Sequence, residues 1–128
     1  MASQARKLGL RDGLRVAIDK APAAWALQDP PGGLEYVAGG PADVIVAFFT
    51  EAEDIAPRLA SLAERVYPAG AVWVAWPRRA GGHRSDITDN VVRERALPLG
   101  LVDVKVAAID DDWSGLRLVW RLSERQRG

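Results

Sequence analysis

The chain has no cysteine, which excludes disulfides, thiol nucleophiles and thiolate metal sites. That absence suits a reducing cytoplasm. There is a single histidine, His83, so no site can be built from several imidazoles. Neither sign of charge is in excess, with 17 Lys and Arg against 17 Asp and Glu. A formal net charge of zero creates no global field for nucleic acid or an anionic membrane, and neither is an expected partner. Long apolar runs are missing as well. No stretch could span a bilayer, and the opening residues mix charges with short apolar steps in a way that does not read as a signal peptide. The expected compartment is the cytoplasm.

What is present is an ordinary globular composition. Of 128 residues, 48% are apolar and 27% charged, which fits one domain over residues 1–128 with a single proper core. Residues 1–7 are small, polar or basic, and residues 124–128 are charged; both ends are expected to be flexible. Leu14 to Asp19 turns from alternating to fully apolar, the mark of a strand covered on both faces. Ala21 to Gln28 is predicted to make two helical turns with Trp25 and Leu27 buried, stopped by Asp29-Pro30-Pro31-Gly32-Gly33. Leu34 to Val37 is a short strand. Asp43 to Phe49 is the clearest buried strand, a continuous run of apolar residues. Ile55, Leu59, Leu62 and Val66 then recur at helical spacing. A start at Glu53 or Asp54 leaves Pro57 in the first turn, where its missing N–H costs little, and is preferred over a cap at Thr50. Ala71 to Trp76 is another buried strand. Arg78 to Arg84 is a basic loop, and Ser85 or Asp86 is placed to cap a helix with Ile87, Val91, Val92 and Ala96 on its apolar face. Strands at Leu101 to Ile109 and Leu116 to Leu122 flank the acidic turn Asp110 to Gly115. Alternating strands and helices imply a mainly parallel sheet of about six strands, and the short last turn makes the final strand antiparallel.

These residues carry a family resemblance. Pro68-Ala69-Gly70-Ala71-Val72-Trp73-Val74-Ala75-Trp76-Pro77 resembles the turn and strand of S-adenosylmethionine-dependent methyltransferases. Several further stretches resemble an uncharacterised bacterial family of short proteins of unknown function. They are Leu8 to Gly13, Trp76-Pro77-Arg78 with Ser85-Asp86-Ile87-Thr88, Gly100 to Val106, and Asp112-Trp113-Ser114-Gly115-Leu116. The resemblance implies a single-domain, three-layer, Rossmann-like α/β fold of reduced methyltransferase type, with strand order second-first-third-fourth-sixth-fifth. It implies no activity.

In such a sheet, ligands bind beyond the carboxyl ends of the strands where the order reverses, here between the first and third strands. Asp19, Lys20, Phe49, Thr50 and Glu51 are expected there. A methyltransferase carries glycines after its first strand, so that the cofactor can approach bare main chain. This chain has Asp19-Lys20-Ala21-Pro22 instead, and Ala38-Gly39-Gly40 where an acid would hold the ribose. S-adenosylmethionine in the usual mode is therefore disfavoured, and no other cofactor or metal is expected.

The loop Arg78-Arg79-Ala80-Gly81-Gly82-His83-Arg84 has the residue types of an anion site, without the spacing of a phosphate-binding P-loop. The alternative is pairing of its cations with Asp110-Asp111-Asp112, which emerge at the same end of the sheet. His83 is a general base by type, but no nucleophile elbow accompanies it. Trp113 either stacks on Arg79 or Arg84, walls a pocket, or closes the sheet edge, and Ser114 bonds local backbone. The candidate ligand-binding residues are thus Arg78, Arg79, His83, Arg84, Ser85, Asp86, Trp113, Ser114, Asp19, Lys20 and Thr50, with a small anion as ligand. The leading expectation is a non-catalytic binding or regulatory module. The alternatives are a divergent methyltransferase or nucleotide-dependent transferase, and an assembly protein pairing through an edge at Leu116 to Trp120.

Overall fold

A computed structural model describes residues 3–126. Six strands form one sheet: β1 (Arg15–Asp19), β2 (Glu35–Tyr36), β3 (Val44–Phe48), β4 (Ala71–Pro77), β5 (Leu101–Ala108) and β6 (Trp113–Trp120). Their order is β2-β1-β3-β4-β6-β5, as the resemblance implied. The first four strands are parallel, and β6 runs antiparallel to both β4 and β5.

Two helices cover one face. The first of them, Ile55–Val66, follows a single tight turn at Ala52–Asp54, so Pro57 lies in its first turn as expected. It buries Ile55, Leu59, Leu62, Ala63 and Val66 against Ile45, Val72 and Val74 of the sheet. The second, Asp89–Ala96, begins later than the sequence suggested. Thr88 is its cap, with Oγ1 accepting from the Val91 N–H at 3.2 Å. Ser85 and Asp86 are spent elsewhere: Ser85 Oγ accepts from the Ile87 N–H, and Asp86 Oδ1 from the Ala52 N–H.

The opposite face departs from expectation. Residues 21–28 form no helix. Lys20, Ala24 and Asp29 take left-handed φ values of 58°, 68° and 46°, which a right-handed helix cannot contain. The segment instead lies as irregular chain across the sheet, and Trp25 and Leu27 pack on the core around Phe48 and Trp73. Nor is the opening segment frayed throughout. Gln4–Lys7 forms one helical turn capped by Ser3, with Gln4 and Ala5 buried. We number the helices α1 (Gln4–Lys7), α2 (Ile55–Val66) and α3 (Asp89–Ala96). Gln4 explains the anchoring. Its Nε2 donates to Ile109 O at 3.0 Å, and its Oε1 accepts from the Gln28 N–H at 2.7 Å. Near the other end, Arg125 Nε donates to Trp120 O, which ties residues expected to be loose. Residues 1, 2, 127 and 128, also expected to be flexible, lie outside the described residues.

Leu116 to Trp120 is not an edge. β6 lies between β4 and β5, and Leu116 and Leu118 are completely buried. The edge strands are β2 and, next to β6, β5, where Val104 and Val106 are exposed and a register irregularity falls between Asp103 and Lys105. Trp73 and Trp76 face opposite sides of β4 as their spacing required, each in a different core cluster.

Candidate functional site

The strand order reverses between β1 and β3, so the crevice beyond Asp19 and Phe48 is the fold's natural ligand position. It is closed by a residue the sequence did not single out. Arg58, in the first turns of α2, reaches back over the strand ends. Its Nη2 pairs with Asp19 Oδ2, its Nη1 donates to Phe48 O at 2.9 Å, and its guanidinium lies 4.0 Å from the centre of the Phe49 ring. Asp19 is therefore committed to an internal pair. Beside it Lys20 turns the chain left-handed into Ala21-Pro22, and no helix N-terminus follows β1 to offer backbone donors.

Outside this plug is a shallow hollow of about 580 Å³ lined by Lys20, Pro22, Phe48, Thr50, Arg58 and Trp113, among others. Trp113 forms its wall by packing edge-on against Phe48, 4.9 Å between ring centres, rather than stacking on an arginine. Trp25 meets the same phenylalanine at 4.7 Å and donates from Nε1 to Asp110 Oδ2 at 2.9 Å. The helix side of the mouth is acidic. The Glu53 carboxyl beside it, with further repulsion from Asp54 and Asp86, raises the Glu51 carboxyl above its ordinary value.

The basic loop docks on the acidic turn, as the shared strand direction required. His83 Nε2 donates to Asp112 Oδ1 at 2.9 Å, and the Arg78 N–H donates to Asp112 O at 2.8 Å. Gly81 lies so close to Asp111 O that a Cβ there could not fit, which is the reason for bare main chain at this position. The three arginines do not share in the pairing: among the described residues none of Arg78, Arg79 and Arg84 forms an ion pair with Asp110, Asp111 or Asp112. Arg78, Arg79, His83, Ser85 and Ser114 converge on a separate pocket of about 270 Å³, backed by Trp76 and Ile87. Arg84 and Asp86 do not line it. The candidate residues thus fall into two groups: five around this pocket, and Lys20, Thr50 and Trp113 around the hollow outside the plug. Asp19 and Asp86 are engaged in structural bonds.

One signal in the sequence pointed to Arg58. An acid ending a parallel strand, with no glycine turn after it, needs a counter-ion, and the first turns of the next crossover helix stand above that strand end. Gln4 carried no such signal, because its partners are two backbone groups distant in the chain.

The strand order, the antiparallel insertion of β6 and the crevice at the β1/β3 reversal define a Rossmann-like fold of methyltransferase type. Residues 35–122 match the family described as "Protein of unknown function (DUF3052)". The match covers more than half of the chain, and the protein belongs to that family. No curated protein sequence matches it. Solved structures share the fold at low identity. A protein of the NADB-Rossmann superfamily from Streptococcus agalactiae aligns with a TM-score of 0.56 and 8% identity, over 94% of this chain and 69% of that one. The magnesium protoporphyrin IX methyltransferase ChlM from Synechocystis PCC 6803, solved with bound S-adenosylmethionine, gives 0.55 and 10%, over 91% and 74%. The O-methyltransferase NcsB1 of neocarzinostatin biosynthesis gives 0.54 and 17%, over 70% of this chain but only 34% of its own length. S-adenosylmethionine does not fit the residues present here. The turn after β1 has no glycine, Ala38-Gly39-Gly40 supplies no acid after β2, and the Arg58 guanidinium lies across the ends of β1 and β3, paired with Asp19 and set against the Phe49 ring.

Proposed function

We propose that this protein is a non-catalytic binding or regulatory module of the cytoplasm, built on a methyltransferase-like scaffold whose cofactor crevice is closed from within. The carrying observation is Arg58, held by Asp19, the Phe48 carbonyl and the Phe49 ring at the point where an adenosyl group would enter. A small anionic ligand is taken in the neighbouring pocket, where Arg78 and Arg79 form no ion pair among the described residues and stand beside the hydroxyls of Ser85 and Ser114, the pocket's one acid, Asp89, being paired with Arg93. Among the described residues no helix is long and apolar enough to cross a membrane. If two copies pair through a sheet edge, the strand they use is β5 or the short β2 at the opposite edge.

Calorimetric titration with S-adenosylmethionine tests the proposal. No heat of binding is expected; micromolar affinity would establish a divergent methyltransferase or related transferase in its place. Titration with inorganic phosphate tests the pocket, and replacing Arg79 by alanine should abolish whatever binding is seen there.

A further inference from the structure

A concentration of unmatched positive charge lies at the other end of the sheet, where the parallel strands begin. A cleft of about 500 Å³ runs between the opening segment and the starts of β1, β3 and β4. Seven Lys and Arg side chains line it, against one acid, Asp43. Asp43 is already engaged: it accepts from the Arg15 N–H at 2.8 Å and pairs with the Arg15 guanidinium. Setting that pair aside leaves six cations that form no ion pair among the described residues: Arg6, Lys7, Arg11, Arg65, Lys105 and Arg117. The chain as a whole has a formal net charge of zero, so the cleft is a local excess and not a reflection of composition.

Two of the cations are held in place by backbone carbonyls, which position them without neutralising their charge. Lys105 Nζ donates to Lys7 O at 3.2 Å, and Arg65 Nε donates to Gly40 O at 2.8 Å. Arg117 is the most unusual member. It sits in an internal strand, paired in register with Trp73 on one side and Lys105 on the other. The opening segment is laid over it, pinned by Trp73 Nε1 donating to Leu8 O at 3.0 Å. Arg117 Nε is buried with no hydrogen-bond partner among the described residues, and so is Arg65 Nη2. Buried guanidinium donors without acceptors are costly, and are retained where something else supplies the acceptor. Leu14, Val44, Val66 and the Tyr67-Pro68 turn give the same cleft an apolar side.

We propose that this cleft binds a small anion carrying two or more linked phosphate groups, with Arg117 and Arg65 donating to the innermost one and Arg11 and Lys7 closing over the outer. A bridging polyanion matches the charge excess, and guanidinium forks match phosphate oxygens. A concave site of this size, rather than a basic face, favours a compact ligand over a nucleic acid strand. The site is separate from the pocket beside Arg79, so either proposal can fail without the other.

Titration calorimetry at low ionic strength, with tripolyphosphate, pyrophosphate, ADP and a single-stranded oligonucleotide as probes, tests it. Tripolyphosphate and pyrophosphate should bind. An equal affinity for ADP assigns the phosphate chain alone as the ligand, and a higher one assigns a nucleotide using the apolar side. Arg117→Met should weaken binding by roughly 10- to 100-fold, the range for a lost charge-assisted bond, while raising the melting temperature of the free protein. Arg11→Glu, at the exposed rim, provides the same loss without touching the sheet, and Arg79→Ala should change nothing. Binding unaffected by both cleft variants, no binding of either phosphate chain, or tighter binding of the oligonucleotide would overturn the proposal.

Discussion

Replacing Arg58 by alanine is the most direct test of the closed crevice. Three interactions disappear together. The pair with Asp19 is only partly solvated, at 25% and 29% side-chain exposure, and such a pair contributes about 0.5–1 kcal/mol. The guanidinium over Phe49 contributes ~0.5–1 kcal/mol, and the bond to Phe48 O about 1 kcal/mol. Because the three share one side chain they do not add fully, and a loss of about 2 kcal/mol is expected. With an unfolding entropy of ~2.1 cal/mol/K per residue, that lowers the melting temperature of a chain this size by about 7 °C. Thermal denaturation followed by circular dichroism reads it directly. A cycle with Asp19→Asn should show a coupling of ~0.5–1.5 kcal/mol. A melting temperature changed by less than about 2 °C, or single effects that simply add, would mean that the guanidinium does not hold the strand ends and that the crevice is open in solution.

Three further outcomes are expected. Gly115→Ala places a Cβ 2.7 Å from Ile109 Cδ1 and 3.0 Å from Trp73 Cε3, and the overpacking should cost about 1–3 kcal/mol in urea denaturation; a neutral variant would show that the sheet face yields there. Gln4→Leu removes both bonds that tie α1 to Ile109 and Gln28; a loss of about 1–3 kcal/mol, with faster amide exchange in residues 21–34, is expected, and unchanged exchange would refute the anchoring. Asp43 is held below its ordinary value of 3.8, first by the Arg15 N–H bond, with burial opposing and the Arg15 guanidinium assisting. A lowered folded value contributes stability present above the unfolded value and lost as pH falls through the folded one. The stability gap between wild type and Asp43→Asn should therefore close below about pH 4, and a gap constant from neutral to acid pH would contradict this assignment.

The sheet was legible because its strands are short apolar runs bounded by turns, and β-branched residues there have few alternatives. Its order followed from the resemblance, not from the pattern. The layer over the second face was not legible. Residues 21–28 read as two helical turns stopped by Asp29-Pro30-Pro31, but Ala24 inside the segment and Lys20 and Asp29 at its borders are left-handed, and non-glycine residues at positive φ are held by tertiary contacts the sequence does not display. The basic and acidic loops were placed at one end by strand direction alone. The plug at Arg58 and the cleft around Arg117 were missed for a common reason. Each joins residues far apart in sequence, and an arginine on a helix or a strand reads locally as a solvated side chain. The acid ending β1 hints at a counter-ion for itself, but the three-dimensional arrangement is needed to show that Arg58 is spent on it and that Arg117 has no counter-charge.

The position of β6 governs the order of assembly during synthesis. When the ribosome has delivered β4, its free edge still lacks a neighbour, and β5 emerges next but cannot fill the place, since its sole partner strand has yet to be made. The nascent chain must then close the β5–β6 hairpin, an event of roughly 1–10 μs, and zip it onto β4 as a finished ribbon. Until Trp120 leaves the exit tunnel, half of the central strand's main-chain donors and acceptors have only water to satisfy them.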